Sequence, residues 1–88
     1  MSYMKKYIKS SIQNLADMPV QDQVEVAMIT DDPEVMQELL DNPNGCNWVV
    51  KLAIVDNRNV PNDILESLTD DYNQVVRDAA IYNWRKRK

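Results

Sequence analysis

Few residues of this chain have side chains suited to covalent or acid–base chemistry. The 88 residues include one cysteine, Cys46, and no histidine. A thiol becomes a nucleophile when a base or a positive charge lowers its pKa, yet the neighbours of Cys46 within residues 42–48 are all neutral. Without histidine the chain also lacks the side chain that most often moves protons at neutral pH or binds zinc. We therefore predict that Cys46 is not catalytic.

Two pairs of aspartates are the next candidates, because adjacent carboxylates can bind a divalent cation. Neither pair, Asp31 with Asp32 or Asp70 with Asp71, belongs to a loop in which ligands alternate and a glycine makes the sharp turn, so helix capping is the simpler interpretation. A single glycine is also too few for a loop that cradles phosphate. The sequence predicts no metal, no cofactor and no catalytic residue, and hence a protein that is not an enzyme.

An internal repeat predicts the elements that position these residues. Three apolar segments begin at Val24, Val50 and Val76, so the spacing between the first and second equals that between the second and third. Each has apolar residues at i, i+3 and i+4, the period of an α-helix, and an alanine where a neighbouring helix can approach closely. We call these segments the A helices. Their aligned alanines are Ala27, Ala53 and Ala79.

Shorter apolar stretches between the A helices are predicted to form a second set, the B helices. Pro33 and Pro61 mark where they begin, because proline is favoured in the first turn of a helix. The spacing between the B helices is slightly longer than that between the A helices. Their apolar positions align in order, with Val35, Met36 and Leu39 in the first matching Ile64, Leu65 and Leu68 in the second. The loop after the first B helix restores the spacing, as stacked A helices require.

The segment from residue 57 to residue 83 resembles one unit of the leucine-rich repeat variant family, an α-solenoid relative of HEAT and armadillo repeats. The shared pattern is a turn asparagine, a proline, a short leucine-bearing helix, an aspartate turn, and then valine-arginine with spaced alanines. These positions are Asn57, Pro61, Ile64, Leu65, Leu68, Asp71, Val76, Arg77, Ala79 and Asn83. With a looser unit over residues 31–57, the resemblance covers about two thirds of the chain. It implies stacked helix pairs, a protein-binding surface and no catalytic residue.

The predicted fold class is all-α, a short α-solenoid of stacked helix pairs with an N-terminal capping helix. Residues 1–88 form a single domain. Its parts are the capping helix over residues 1–18, a first repeat over 19–42, a second repeat over 43–69, a final half-repeat helix over 70–84 and a basic tail over 85–88. A chain this short buries only about 60–65% of its unfolded surface, so a deep enclosed site is not expected.

Eight residues are candidates for contact with a partner. Aromatic side chains with a polar tip contribute a large share of interface energy, and acidic side chains attract basic partners. The candidates are Tyr72, Tyr82, Trp84, Trp48, Glu34, Glu38, Asp63 and Glu66. Trp84 lies past the last repeat, with Tyr82 two residues before it, so we expect partial exposure there, with a core-capping role as the alternative. For Trp48 we favour a core position beneath residues 42–47 over an exposed one.

A structural ion pair is predicted at the turn before the last A helix. Arg77 and Lys51 stand where HEAT-like repeats carry a basic side chain beneath an acidic turn. We predict that Arg77 pairs with Asp71, or with its neighbour Asp70. A partly buried pair of this kind fixes a turn more than it adds stability.

Positive and negative charges are separated along the chain. The net charge is −4, but residues 10–84 carry all 14 acidic residues and a net charge of −11, whereas the two ends together carry +7. An acidic surface favours fast association with basic partners and repels nucleic acid. The leading hypothesis is therefore a small non-catalytic module that binds another protein with a basic surface, as an adaptor or inhibitor.

Three alternative functions remain open. First, the basic ends could bind nucleic acid, although four terminal charges are too few to recognise a duplex well. Second, the acidic surface could imitate nucleic acid and block a basic groove on a nucleic-acid-binding protein. Third, oppositely charged regions of different copies could self-associate. A lone cysteine favours a reducing, intracellular setting, and no stretch approaches the roughly 20 apolar residues of a membrane span. We expect a cytoplasmic protein without membrane contact.

Overall fold

Five α-helices make up most of the described chain. The computed structural model describes residues 15–87 and contains no strand in that range. The helices are α1 (Val20–Ile29), α2 (Pro33–Leu40), α3 (Trp48–Asp56), α4 (Asn62–Leu68) and α5 (Gln74–Arg87). The predicted all-α class is confirmed for these residues. The predicted capping helix over residues 1–18 lies outside the described residues except for its last four positions, where Leu15–Asp17 form a 3-10 turn.

Polar side chains and prolines determine where several helices begin. Asp32, Asn47 and Asn73 cap α2, α3 and α5, because a side-chain oxygen of each accepts a hydrogen bond from the backbone N–H two residues further on. Pro33 is the first residue of α2, and Pro61 stands directly before α4. Both prolines therefore mark the starts of B helices, as predicted.

The three A helices, α1, α3 and α5, lie side by side and run in the same direction. α1 packs against α3, and α3 packs against α5. At the end of α3, Asn57 Nδ2 donates to the carbonyl oxygens of Ala27 and Thr30, at the end of α1, over 2.8 and 2.7 Å. Near the start of α3, Lys51 reaches Asp71, just before α5 begins. Because equivalent ends contact each other, the three helices are parallel.

The B helices, α2 and α4, pack on this row through the predicted apolar positions. α2 packs against α1 and α3, and α4 packs against α5. The six apolar positions that align between the two B helices are at most 6% exposed; they are Val35, Met36, Leu39, Ile64, Leu65 and Leu68. The local pattern of the B helices thus identified their buried face correctly.

The structure aligns α1 with α3 differently from the sequence alignment. Each buried residue of α1 corresponds to the α3 residue one position later than the sequence alignment predicted. Burial in the two helices pairs Gln23, Val26, Ala27 and Thr30 with Val50, Ala53, Ile54 and Asn57. Burial in α3 and α5 keeps the predicted alignment, since Val50 and Ile54 correspond to the buried Val76 and Ala80. The alignment of three alanines in register is therefore wrong for the first copy.

The turn that ends each helix explains this shift. Thr30 Oγ1 accepts a hydrogen bond from the N–H of Asp32, and Asn57 Oδ1 accepts the same bond from the N–H of Asn59. These two buried side chains hold equivalent turns although their residue types differ. As a result Met28 is 61% exposed, although the predicted alignment pairs it with the buried Ile54, and Ile29 is 53% exposed.

The last helix is longer than expected. α5 continues to Arg87, so three of the four residues assigned to a basic tail after residue 84 are helical. Basic side chains suit the last turn because they offset the helix dipole. Arg87 Nη1 also donates to the Val60 carbonyl oxygen and to Asn62 Oδ1, at 2.7 and 2.8 Å, and ties the end of α5 to the segment between α3 and α4.

Candidate protein-binding surfaces

An open groove of about 320 Å³ lies between the two B helices. It is lined by the first turns of α2 and α4, with Pro33, Glu34, Gln37, Pro61, Asp63 and Ile64. Glu38 follows Glu34 by four residues and Glu66 follows Asp63 by three, so each pair shares one face of its helix. The four predicted acidic candidates are all exposed and lie along this groove or on the helix faces that form it. We call this surface the acidic groove.

The carboxylates of the acidic groove form no ion pair among the described residues, although the Arg87 guanidinium reaches Asn62, next to Asp63. Neither α2 nor α4 contains a lysine or an arginine. Within residues 15–87, the ion pair in the structure joins Lys51 and Asp71 and involves none of the four groove carboxylates. Unpaired like charges on neighbouring helix faces add to a negative surface potential, which attracts cationic groups.

The turn before α5 contains the ion pair, but its cation differs from the predicted one. Lys51 Nζ lies 2.8 Å from Asp71 Oδ1, and the two side chains are only 13% and 9% exposed. Asp71 Oδ2 accepts a hydrogen bond from the N–H of Asn73. Arg77 Nη1 instead donates to the backbone carbonyl oxygen of Asp71, at 3.2 Å. The predicted pairing of Arg77 with the carboxylate is corrected, because the lysine of the neighbouring helix reaches it across the α3–α5 contact.

Charge and burial around this pair shift two pKa values. Burial by itself would lower the pKa of the Lys51 ammonium, but the hydrogen bond and negative charge of Asp71 outweigh it and raise that pKa above its ordinary value. Burial raises the pKa of the Cys46 thiol, against the opposing effect of the Lys51 charge and with a further rise from Asp71. At neutral pH the lysine is charged and the thiol is protonated, which is the weakly nucleophilic form.

The four aromatic candidates differ in exposure. Tyr72, Tyr82 and Trp48 are 86%, 64% and 46% exposed. The preferred core position for Trp48 is therefore wrong: it is the first residue of α3, and Val50, two residues on, is fully buried in its place. Trp84 is half-buried and packs against the core, in line with the partial exposure expected for it.

Lysine ammonium groups lie over two of these rings. Lys51 Nζ is 4.8 Å from the centre of the Tyr72 ring, and Lys86 Nζ is 5.0 Å from the centre of the Tyr82 ring. Cation–π contacts at exposed sites contribute about 0.5–1 kcal/mol each. They hold both tyrosines at the surface rather than against the core.

Two exposed faces lie on the terminal helices of the A row. The outer face of α5 consists of Val75, Asp78, Tyr82, Arg85 and Lys86, which follow helical spacing. The outer face of α1 consists of Gln21, Asp22, Glu25, Met28 and Ile29. The sequence alignment missed part of the outer face of α1, because it paired the exposed Met28 with Ile54, which is buried. Polar Gln23 and Thr30 within an otherwise apolar helical pattern were the signal of a different register.

A shallow depression of about 480 Å³ adjoins Cys46. It is lined by Ala16, Met18, Val20, Gln23, Asn42, Asn44, Gly45, Cys46 and Asn47. Gly45 has a φ of 89°, in the left-handed region that favours glycine, and permits the turn of this loop. The lining presents amides and one protonated thiol, a set that offers hydrogen bonds but no charge.

The described residues contain no cluster of three or more histidine, cysteine, aspartate or glutamate side chains arranged to hold a metal ion. None of the helices between residues 15 and 87 combines the length and apolarity of a membrane span. Comparisons with protein-family models, with curated proteins and with solved structures found no match to this chain. Inference about function therefore rests on the surfaces described above.

Proposed function

We propose that this chain is a small non-catalytic protein-binding module, an adaptor or inhibitor, that holds a basic segment of another protein in the acidic groove. The observation that carries the proposal is the placement of Glu34, Glu38, Asp63 and Glu66 on two adjacent helices that contain no basic residue. The parallel A row, with B helices packed on it, supports a short α-solenoid of the leucine-rich repeat variant or HEAT type. Solenoids of this kind use extended surfaces between repeats for binding.

The composition of the groove suits lysine and arginine side chains. Their aliphatic stems can cover the apolar surface of Pro33, Pro61 and Ile64, while their charged heads reach the carboxylates. Gln37 offers an amide to the backbone of a bound segment, although its Nε2 donates to Asp41 Oδ1 in the unbound chain. Long-range attraction would speed association, and salt would screen it, because the groove is open to solvent.

Binding of nucleic acid through the basic ends has less support. Arg87 is already engaged by the Val60 carbonyl oxygen and by Asn62. Two exposed cations of the last turn, Arg85 and Lys86, remain among the described residues of that end. A strong salt-dependent contact with phosphates requires several cations on one surface.

The test is titration of a fluorescent lysine- and arginine-rich peptide with two variants of equal charge. In the groove variant, Glu34→Gln, Glu38→Gln, Asp63→Asn and Glu66→Gln are combined. In the control, four exposed acids elsewhere are neutralised by Asp17→Asn, Asp22→Asn, Asp56→Asn and Asp70→Asn. We expect a loss of about tenfold or more in affinity for the groove variant and less than about threefold for the control. Equal losses would show non-specific attraction by net charge and would contradict the proposal.

A further inference from the structure

The middle helix of the A row, α3, is apolar on its solvent side as well as on its buried side. Trp48 and Val49 are 46% and 38% exposed, and Leu52, one turn further on, is half-buried. The charged residues of this helix are Lys51, which is held in the ion pair, and Asp56, which is its last residue. A helix without a polar face is normally buried all round, so the exposed side of α3 indicates contact with a further surface.

The apolar surface of α3 continues onto α5. In the observed register Val75 of α5 is equivalent to Val49 of α3, and it is 54% exposed. The equivalent residue of α1 is Asp22, so the apolar surface ends on that side. We call Trp48, Val49, Leu52 and Val75 the apolar strip. Because the B helices pack on the buried side of the A row, the strip and the acidic groove lie on different surfaces of the molecule.

Exposed carboxylates stand on both sides of the apolar strip. Glu25 of α1 and Asp78 of α5 are the counterparts of Leu52 in the observed register, so each neighbouring helix presents one carboxylate at its level. Asp22 lies one turn before Glu25, and Asp56 ends α3. Within residues 15–87 none of these four carboxylates takes part in an ion pair. The strip is therefore an apolar surface with a negative rim.

The exposed cations of the same helices lie further along the row. Arg58 follows the end of α3, and Arg85 and Lys86 belong to the last turns of α5, past the level of Asp56. Lys51 is bound in the ion pair and is mostly buried. The charges beside the strip thus complement a partner whose apolar residues are flanked by lysine or arginine.

We propose that the apolar strip binds an amphipathic helix of another protein, with lysines or arginines on both sides of its apolar stripe. A helix fits because Trp48, Val49 and Leu52 follow helical spacing, and side chains at this spacing pack between the ridges of a second helix. The flanking cations meet the carboxylates of α1 and α5. Tryptophan is among the residues that contribute most to interfaces, and here one stands exposed within the strip. This site does not depend on peptide binding in the acidic groove.

The probe is a peptide of leucine and lysine whose leucines form one face of a helix. It has no aromatic residue, so the tryptophan emission comes from the full chain alone. We expect the emission of Trp48 to move to shorter wavelength, because the bound helix removes this indole from water. Trp48→Phe keeps an aromatic surface, so calorimetry should still detect binding while the emission shift is lost.

Two double variants locate the binding energy. Val49→Gln with Val75→Gln makes the strip polar at exposed helix positions, and we expect a loss of affinity of about fivefold or more. Val20→Gln with Ile29→Gln changes two exposed apolar residues outside the strip and should cost less than about twofold. The groove variant described above should retain the emission shift, which separates this inference from the proposed function.

Two further peptides test the chemistry of the partner. A peptide of the same composition whose leucines do not share a face, and one with glutamate in place of lysine, should each bind at least about fivefold more weakly. Equal binding of either peptide, equal losses in the two double variants, or no emission shift would overturn the inference. Sedimentation of the chain alone should give the mass of one 10.2 kDa chain. A larger mass that the strip variant abolishes would assign the strip to a second copy and would also overturn it.

Discussion

The two junctions of the A row use different chemistry to hold neighbouring helices together. At the α1–α3 junction, the buried uncharged amide of Asn57 donates to two carbonyl oxygens of α1. At the α3–α5 junction, the ammonium of Lys51 pairs with the carboxylate of Asp71. The first contact joins the ends of helices and the second joins their beginnings. The amide is insensitive to pH, whereas the ion pair depends on the charge of both partners.

Residues of the same type at equivalent positions of the repeat can therefore have different structural roles. Asn83 is the counterpart of Asn57 in the next copy, but its Nδ2 donates to the Ala79 carbonyl oxygen of its own helix, at 2.9 Å. α3 ends at Asp56, which frees the Asn57 side chain to bridge to α1, whereas α5 continues to Arg87. The length of the helix determines whether the asparagine connects two helices or remains within one.

The largest expected effect is loss of the Asn57 bridge. Asn57→Ala leaves the Ala27 and Thr30 carbonyl oxygens without this donor in a buried site, and we expect the free energy of unfolding to fall by about 2–4 kcal/mol. Asn83→Ala is the matched control and should cost less than about 1 kcal/mol, because its bond lies within one helix. Urea unfolding monitored by helical circular dichroism measures both. Equal costs at the two positions would contradict the distinct role of Asn57.

Substitutions in the ion pair at the α3–α5 junction should lower the free energy of unfolding by less than Asn57→Ala does. Lys51→Met or Asp71→Asn each leaves one partly buried charge without its partner, and we expect each to lower the free energy of unfolding by about 1–2 kcal/mol. The double variant should cost less than the sum of the two, with a coupling energy of about 0.5–1 kcal/mol. A cycle of urea unfolding experiments gives this value. Strict additivity would mean that the two side chains do not interact energetically.

The pH dependence of stability distinguishes the two junctions directly. Because the pKa of Lys51 is raised above its ordinary value of 10.5, its pair contributes fully below that pH and is lost as pH rises through the higher pKa of the folded state. The stability difference between the unmodified chain and Lys51→Met should therefore be constant from pH 7 to about 10 and decrease above that range. The corresponding difference for Asn57→Ala should not change. A Lys51→Met difference that decreases between pH 7 and 9 would be inconsistent with the raised pKa.

The smallest expected effect concerns the thiol beside the ion pair. Asp71 raises and Lys51 lowers the pKa of Cys46, so Asp71→Asn should speed alkylation by iodoacetamide and Lys51→Met should slow it. We expect rate changes of roughly threefold at pH 8, because the thiolate is the reactive form. Alkylation rates relative to a short unfolded peptide provide the measurement. Opposite directions for the two variants are the essential result, and a change in the same direction would rule out control by charge.

Much of the fold could be predicted because its signals are local. Pro33 and Pro61 mark the starts of the B helices, and their apolar positions recur in the same order within one or two turns. The register of α1 could not be predicted from residue identity. It depends on the equivalence of Thr30 with Asn57, two different residue types that hold the same turn through their side-chain oxygens.

The candidate residues were predictable to a different extent. The exposure of Tyr82 was expected from its position near the end of the last helix, whereas the exposure of Trp48 depends on which side of α3 its first residue faces. The cation of the ion pair could not be read from spacing, because Lys51 and Arg77 are both long enough to reach the same turn. Contact between α3 and α5 decides in favour of Lys51.

The location of a bound basic peptide tests the proposed function most directly. Backbone amide chemical shifts of the full chain, recorded by NMR during titration with the lysine- and arginine-rich peptide, show which helices it contacts. We predict that the largest changes fall on α2 and α4, around Glu34, Gln37 and Asp63, and that added salt reverses them. Changes centred on Trp48, Tyr72 and Tyr82 instead, with α2 and α4 unaffected, would contradict binding in the acidic groove.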